Sequence, residues 1–435
     1  MGNGIGIYIH IPFCKSKCNY CDFNSYSGRE HLAGPYFDAL LSEMKLRSGE
    51  IGNCRVKTIF IGGGTPSLVD PKQIGAVLEL CSKLFDVDPE AEISMESNPG
   101  TLTYDSLKAY RSAGVNRLSI GLQAWQDKLL KELGRIHDRQ QFVNNFEAAV
   151  KAGFRNINVD LIFGLPGQTM EEWAETLESV VTMGTAASSD LYPVTGAALT
   201  HLSCYSLKIE EGTNFGDRYE KGTLKPADDE LDRRMYRYTV DYLAQKGFRH
   251  YEISNFALPG FECRHNLVYW KALEYAGFGA GAHSYLHYNR FGNISGIEQY
   301  IKAVEQRAAG LHTGQAEINA QKLKNMDCAN YYSEFGLHEE IQHISPYESM
   351  FEFMILGLRL TDGISAAEFE IRYAESLQKI YGNKLDKLVK EGLLVCEWNG
   401  NREACPESGK VIDGRCYKLT SLGLDLANQV FVEFI

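Results

Sequence analysis

The stretch Tyr8-Ile9-His10-Ile11-Pro12-Phe13-Cys14, followed by Cys18 and Cys21, decides what the rest of this chain has to build. Its cysteines follow the spacing Cys-x3-Cys-x2-Cys. Clustered thiolates are typical ligands of a soft metal or an iron–sulfur cluster. A structural zinc site usually closes with four ligands, but here the next residues are Asp22 and Phe23. The pattern therefore favours a four-iron cluster with one iron left open for a small molecule. The alternative is a loop of buried free thiols.

Composition limits the classes of protein that this chain can belong to. Its 435 residues are too many for one small core and predict two or more domains. A hydrophobic content of 44% is ordinary for a soluble globular protein, and a net charge of −12 argues against a general nucleic-acid binder. We expect no signal peptide, and we find no apolar run near the ~18 residues of a membrane span. Eleven cysteines without a secretory signal predict a reducing, cytoplasmic compartment.

Strand-like and helix-like segments alternate over about the first two hundred residues. The predicted strands are Ile5–Ile11, Thr58–Ile61, Glu92–Glu96, Arg117–Gly121, Asn156–Phe163 and Leu202–Leu207. The predicted helices between them are Pro35–Leu46, Asp70–Phe85, Tyr104–Ala113, Asp127–Leu133, Arg139–Ala152 and Met170–Met183. Sustained alternation of this kind implies parallel strands joined by right-handed crossovers. We therefore predict an α/β fold with a partial (β/α)6 barrel.

The remaining segments predict a second domain. The small, aperiodic stretch between Gly184 and His201 is predicted to be a loop, and helices are expected at Asp228–Gln245 and Ile297–Ala309. Tyr251–Phe256 is predicted to be a short strand. Later in the chain we expect a helical section, a two-stranded hairpin and a last helix, at 351–391, at 393–397 with 415–419, and at 422–434. We place a barrel domain at 1–310 and a mostly helical, winged-helix-like domain at 311–435.

Several polar or glycine-rich positions follow the carboxyl ends of predicted strands. They are the cysteine loop, the turn Gly62-Gly63-Gly64-Thr65-Pro66, Glu96, Gln123 and Asp160. Parallel α/β barrels place their chemistry at this end of the strands. Glycines let backbone groups approach a ligand closely. Taken singly, the turn could be only a tight turn, and the carboxylates could be helix N-caps or solvated loop residues.

Together these motifs resemble the radical S-adenosylmethionine (SAM) superfamily. With Glu96-Ser97-Asn98-Pro99 and the segment Asp160-Leu161-Ile162-Phe163-Gly164-Leu165-Pro166-Gly167, the resemblance narrows to its coproporphyrinogen dehydrogenase (HemN-like) branch and covers nearly the whole chain. It implies a [4Fe-4S] cluster on Cys14, Cys18 and Cys21, with SAM at the open iron. It also implies SAM contacts at Tyr8, Gly63, Gly64, Thr65, Glu96, Gln123, Arg135 and Asp160. In these contacts Glu96 would pair with the ammonium, Arg135 with the carboxylate and Asp160 with a ribose hydroxyl.

Three features separate the chain from the oxidases of that branch. The oxidase pattern has a fourth cysteine where this chain has Phe23, and the oxidases carry a longer N-terminal segment. The run His265-Asn266-x-x-Tyr269-Trp270 resembles the hallmark of the HemW-type heme chaperones of the same superfamily. Imidazole is a good axial ligand of heme iron, whereas a histidine beside aromatic residues is otherwise usually a hydrogen-bonded core residue. Cys263 could ligate or tether heme, or be a buried thiol.

The resemblance implies two functions that differ in class. The favoured hypothesis is a heme chaperone that binds the cluster, SAM and heme and passes heme to an acceptor protein. The alternative is an oxygen-independent coproporphyrinogen III oxidase that draws electrons from an external donor. The sequence leaves open whether SAM is cleaved and whether heme is covalently held. It also leaves open whether the protein forms a dimer or contacts a membrane surface.

Overall fold

The computed structural model of the protein describes residues 4–191, 198–311, 328–398 and 413–435. The chain divides into two compact units. Unit 1 consists of Met1–Arg249, Phe256–His265 and Glu274–His343, and unit 2 consists of His250–Asn255, Asn266–Leu273 and Ile344–Ile435. The predicted domain boundary near residue 310 adjoins residues 312–327, which lie outside the described residues.

The strands are numbered here in chain order. They are β1 Ile5–Ile11, β2 Phe13–Cys14, β3 Tyr26–Ser27, β4 Arg55–Gly63, β5 Asp86–Ser97, β6 Arg117–Gln123, β7 Ile157–Phe163, β8 Leu199–Ser206, β9 Arg249–Glu252, β10 Asn255–Ala257, β11 Tyr275–Phe278, β12 His283–Leu286, β13 Asn289–Asn293, β14 His338–His343, β15 Ile364–Ser365, β16 Leu394–Trp398 and β17 Arg415–Leu419.

The α-helices are numbered in the same way. They are α1 Ala33–Ile51, α2 Pro71–Leu84, α3 Tyr104–Ser112, α4 Asp127–Glu132, α5 Arg139–Lys151, α6 Met170–Leu191, α7 Asn214–Glu220, α8 Asp229–Gln245, α9 Arg264–Trp270, α10 Ile297–Leu311, α11 Cys328–Phe335, α12 Pro346–Gly357, α13 Ala366–Tyr373, α14 Leu377–Lys390, α15 Ser421–Asp425 and α16 Ala427–Val432. Within the described ranges, no helix combines the length and the apolar character that crossing a membrane requires.

A parallel sheet forms the centre of unit 1. Strands β1, β4, β5, β6, β7 and β8 lie side by side in that order, and each adjacent pair is parallel. The outer strands of this set pair with further strands, because β1 continues to β11 and β8 to β10. This arrangement confirms the predicted partial barrel of six parallel strands.

The parallel strands are buried whether their side chains are apolar or polar. Every residue of β6 is buried, and β1 and β7 each have one half-buried residue at their centre. On β6 and β7 apolar residues alternate with polar ones such as Ser119 and Asp160, which hydrogen-bond to each other. The helices between them begin at capping residues that the sequence supplies. Thr103 and Asp138 form capping boxes with Ser106 and Gln141, and these bonds satisfy the first free N–H groups of α3 and α5.

The predicted loop between Gly184 and His201 is wrong at both ends. Helix α6 continues to Leu191 and strand β8 already begins at Leu199, while residues 192–197 lie outside the described part of the chain. The segment Thr185–Leu191 contains two alanines and no glycine or proline, so nothing in it ends the helix. The small size of these residues had suggested a loop, although alanine is the best helix former.

Two further boundaries differ from the prediction. The segment predicted as one strand at Tyr251–Phe256 forms two strands, β9 and β10. The predicted last helix is two short helices, α15 and α16, because Leu426 has a φ of −117° and caps both. In unit 2 the predicted hairpin strands β16 and β17 pair antiparallel, and β15 adds a third strand on β17. The residues between β16 and β17 up to 412 lie outside the described residues.

Candidate functional site

A cavity of about 430 Å³ opens at the carboxyl ends of the parallel strands of unit 1. It collects most of the residues that the sequence singled out. Its lining includes Cys14, Cys18, Cys21, Gly63, Gly64, Glu96, Gln123, Arg135 and Asp160. Tyr8, Thr65 and His265 belong to unit 1 but are not part of this lining. The structure therefore brings together nine of the predicted residues and places three behind or away from the cavity wall.

The cysteine loop is closed on itself by a short backbone ladder and a side-chain hydrogen bond. Phe13 and Cys14 pair with Tyr26 and Ser27 in a short parallel ladder, and the Lys17 ammonium donates to the Phe23 carbonyl at 3.0 Å. The Cys14 sulfur lies 3.5 Å from the Thr65 hydroxyl. Cys14, Cys18 and Cys21 are free thiols in this structure. Burial raises the pKa of the Cys14 and Cys21 thiols, so a cation is needed to favour their thiolate forms.

The glycine turn packs directly against this loop. The Gly64 amide donates to the Ile11 carbonyl and the Thr65 amide to the Phe13 carbonyl, each at 2.8 Å. Gly63 has a φ of +109°, and a Cβ there would lie 2.4 Å from the His10 ring. A Cβ on Gly64 would lie 2.7 Å from the Phe13 carbonyl oxygen. Both positions therefore require glycine, because a side chain would push the turn away from the cysteine loop.

The Glu96 carboxyl lies at the end of β5 and accepts a hydrogen bond from the Gly63 amide at 3.0 Å. Burial, together with the negative charge of Asp160, raises the pKa of Glu96 to about 7. A carboxyl of this kind favours a cationic partner, because a cation at hydrogen-bond distance would stabilise its ionised form. The cavity thus contains a buried acidic group that a bound ammonium would convert to its charged form.

Arg135 brings positive charge to the same cavity. Its guanidinium donates to the Cys18 sulfur at 3.4 Å, to Asn98 Oδ1 at 2.5 Å and to the Gly121 carbonyl at 2.7 Å. Among the described residues, its buried Nε has no hydrogen-bond partner. A buried N–H donor without a partner is costly, so this edge of the guanidinium suits an anionic ligand group. Nearby, Gln123 has a φ of +74°, which is rare for a residue with a side chain.

A chain of buried hydrogen bonds, in which each group donates to the next, orients the Asp160 carboxylate. His201 has its pKa lowered well below its usual value by burial, so its neutral ring can donate from Nδ1 to Asn158 Oδ1 at 2.6 Å. The Asn158 amide donates to Ser119 Oγ at 2.7 Å and to Asp160 Oδ1 at 2.8 Å. The Ser119 hydroxyl then donates to Asp160 Oδ2 at 2.7 Å. Both carboxylate oxygens are thus held from below, and their other lone pairs remain for a ligand.

Asn98, Ser119, Asn158 and His201 take part in this site although they were not predicted as site residues. A signal for Asn158 was present in the sequence. Asn158 and Asp160 lie two residues apart on β7, so their side chains share one face of the strand, and that face is the barrel interior. Nothing in the sequence by itself connects Ser119 and His201 to Asp160.

His265 lies in the interior of unit 1 and not at the cavity. Its ring is stacked on Phe60 with centroids 5.2 Å apart and on Tyr8 at 6.5 Å, and Nδ1 lies 2.8 Å from the Thr58 hydroxyl. Only 1% of its surface is exposed, and burial lowers its pKa to about 3. In this structure His265 therefore has the surroundings of a core histidine, the alternative considered for it above.

Glu92 holds the beginning of the helix that carries His265. Its carboxylate accepts from the backbone amides of Arg264 at 3.0 Å and His265 at 3.2 Å. The buried Cys263 thiol lies 3.6 Å from the same carboxylate. A carboxylate at this position satisfies free N–H groups and opposes the positive end of the helix dipole. Glu92 is a strand residue that the sequence analysis did not connect with this helix.

Comparisons with known proteins agree with this geometry. A family model described as the radical SAM superfamily matches residues 8–180, and one described as the HemN C-terminal domain matches residues 344–402. A heme chaperone HemW from Lactococcus lactis is 34% identical over 98% of this chain and 96% of its own length. A heme chaperone HemW from Bacillus subtilis is 33% identical over 98% of both chains.

A solved structure also resembles this chain over almost its full length. The structure of coproporphyrinogen III oxidase (HemN) from Escherichia coli matches with a TM-score of 0.75 and 22% identity. The match covers 99% of this chain and 90% of that one. At this identity the likeness supports the fold, and the chemistry has to be argued from the site.

Proposed function

Because this chain belongs to the radical SAM superfamily and, within it, to the HemW family of heme chaperones, we propose that it binds heme and passes it to an acceptor protein. The observation that carries the proposal is the full-length similarity to HemW relatives, combined with Phe23 where the oxidase pattern has a fourth cysteine. Phe23 is 62% exposed beside the cysteine cavity and cannot ligate a metal.

The three thiols suit an iron–sulfur cluster. Cys14, Cys18 and Cys21 line one cavity, and the Arg135 guanidinium donates to the Cys18 sulfur at 3.4 Å. We propose that these residues hold a [4Fe-4S] cluster. When bound, such a cluster provides an iron without a protein ligand, at which SAM can bind and be reduced.

The rest of the cavity suits SAM. We propose that Glu96 pairs with its ammonium, that Arg135 receives its carboxylate at the unpartnered Nε, and that Asp160 accepts a ribose hydroxyl. Gly63, Gly64 and Gln123 would complete the contact from the same wall. Tyr8 and Thr65 would support this wall and not contact SAM directly, because the Tyr8 hydroxyl hydrogen-bonds to His10 at 3.0 Å and the Thr65 hydroxyl lies beside Cys14.

For heme, the residue to test is His265 in the run His265-Asn266-x-x-Tyr269-Trp270. Its burial and its contact with Thr58 mean that helix α9 would have to leave its present place before the imidazole could reach an iron. We propose heme contact at this segment on the strength of the motif. The proposal does not depend on Cys263, which lies buried beside Glu92.

We also propose the partners and the compartment. Delivery requires a heme acceptor protein, and reduction of SAM would require an external electron donor. We place the protein in the cytoplasm, because the three free thiols of a cluster site need a reducing environment. A dimer and peripheral contact with a membrane surface stay outside this proposal.

The experiment compares heme binding with oxidase turnover. After anaerobic reconstitution of the cluster, hemin is added to the wild type and to His265→Ala, and the Soret band is recorded. His265→Gln keeps a group that can bond Thr58 and tests whether any loss comes from misfolding. His31→Ala removes an exposed histidine and serves as the matched control.

We expect stoichiometric hemin binding by the wild type and His31→Ala, with a shifted and weaker Soret band in both His265 variants. We also expect no anaerobic conversion of coproporphyrinogen III. Turnover of that substrate without heme binding would replace the chaperone by the oxidase.

A further inference from the structure

A cluster of buried polar groups in unit 2 lacks the hydrogen bonds that such groups normally make. Among the described residues, no partner is found for Glu252 Oε2, Asn255 Oδ1, Trp270 Nε1 and Arg359 Nε. Glu252 and Asn255 are 0% and 2% exposed. Buried polar atoms in native proteins nearly always have a partner, so four unpartnered atoms in one neighbourhood form a place where a polar ligand group or water gains hydrogen bonds.

The backbone around this cluster is well anchored. Leu360 forms a β-bridge with Glu252, and the Thr361 amide donates to the Tyr251 carbonyl at 3.1 Å. The Thr361 hydroxyl donates to the His250 carbonyl at 2.7 Å. Arg359, which follows the end of α12, is therefore held beside strand β9.

The cation in this cluster is only loosely neutralised. The Arg359 guanidinium lies over the Trp270 ring, 4.4 Å from its centroid, and 3.8 Å from Glu252 Oε2. The latter distance is long for an ion pair and exceeds hydrogen-bond length. Glu252 instead uses its other oxygen, which accepts from the Ser254 amide at 3.1 Å. Burial raises the pKa of Glu252, which further weakens the attraction between its carboxyl group and the Arg359 guanidinium.

Arg359 also remains reachable from solvent, since 28% of its side chain is exposed. A planar guanidinium that is stacked on an indole ring and has unpaired N–H groups is suited to bind a carboxylate through two parallel hydrogen bonds. The unpartnered indole N–H of Trp270 is a second donor in the same place.

We propose that Arg359, supported by Trp270, is a binding site for a carboxylate of the cargo, namely a propionate of heme. This inference rests on the proposed function, because it takes heme as the ligand. It adds a residue outside the run His265–Trp270, and it places the recognised group at the edge of the porphyrin. Arg359 would then exchange its long contact with Glu252 for a direct pair with the propionate.

The test compares hemin with hemin dimethyl ester, in which both propionates are esterified and uncharged. Titrations with the reconstituted full chain would use the wild type, Arg359→Gln, Arg359→Lys and Arg415→Gln. Arg415 is the matched control, since its side chain is 32% exposed but is paired with Asp413 at 2.6 Å. Circular dichroism of each variant checks the fold.

For the wild type we expect the ester to bind about tenfold more weakly than hemin, because it cannot form the charge-assisted pair with Arg359. Arg359→Gln should weaken hemin about tenfold and leave the ester unchanged, so that the two ligands become equal. The hemin affinity of Arg359→Lys should lie between those of the wild type and Arg359→Gln, and the hemin affinity of Arg415→Gln should match that of the wild type.

Three results would overturn the inference. One is equal binding of both porphyrins by the wild type; another is the same loss of both ligands in Arg359→Gln, which indicates a structural role. The third is unchanged hemin affinity in Arg359→Gln, in which case ordered water fills the cluster. Failure of the wild type to bind either porphyrin would instead overturn the proposed function, and the carboxylate site with it.

Discussion

The affinity for SAM should depend on pH through Glu96. In the absence of a ligand, burial and the charge of Asp160 raise the pKa of this carboxyl to about 7. If its ionised form pairs with the SAM ammonium, binding at lower pH must first remove a proton from Glu96. The affinity should therefore rise as pH increases toward 7 and fall as pH decreases below it.

The magnitude follows from the two ionised fractions. With a pKa of about 7, roughly half of Glu96 is ionised at pH 7 and about one eleventh at pH 6. The dissociation constant for SAM should thus be about fivefold larger at pH 6. This range lies below the pKa of about 8 of an α-amino group, so the ligand ammonium stays mostly protonated.

Calorimetry with the cluster-reconstituted protein measures both the affinity and the proton released. Titration of SAM at pH 7 in two buffers of different ionisation enthalpy should show release of about half a proton per ligand. Glu96→Gln should bind more weakly and without pH dependence. Asp160→Asn should move the dependence to lower pH, because it removes the charge that helps to raise the pKa.

Two results would refute the reasoning. One is a dissociation constant that is the same at pH 6 and pH 7 in the wild type. The other is a pH dependence that persists in Glu96→Gln, which would assign the titration to another group.

Three further changes should have separable effects. Cys14→Ala should lose the iron content and the absorption of the four-iron cluster. Cys81→Ala, which removes a buried thiol outside the loop, should keep both, and a normal cluster in Cys14→Ala would contradict the assignment. Asn158→Leu removes two hydrogen bonds that orient Ser119 and Asp160, so calorimetry should show about a tenfold loss of SAM affinity. An unchanged affinity would mean that Asp160 does not bind SAM. Arg47→Met leaves the buried Glu43 and Glu50 carboxylates without their cation, so the free energy of unfolding measured by denaturation should fall by roughly 3–5 kcal/mol. Arg29→Met, at an exposed ion pair, should lower it by less than about 1 kcal/mol, and equal losses would contradict this account.

Local patterns in the sequence determined the elements and the cysteine loop. Apolar residues in short runs or at alternate positions mark the buried strands, and capping residues such as Thr103 and Asp138 mark where helices begin. Both signals are written within a few residues, so the six parallel strands could be predicted. The carboxyl ends of parallel strands meet at one edge, so the grouping of Glu96, Gln123 and Asp160 around the cysteine loop could be predicted as well.

The extent of the elements and the orientation of the side chains depended on tertiary structure. The continuation of α6 to Leu191 escaped prediction because the serines and the aspartate in this segment also favour turns, although its alanines favour a helix. The contact of Arg135 with Cys18 joins residues 117 positions apart, and His201 is linked to Asp160 through Asn158. Such contacts exist only when neighbouring strands and loops are placed side by side. For the same reason the motif of His265 could be recognised in the sequence, whereas its burial against Tyr8 and Phe60 is decided by packing in the barrel interior.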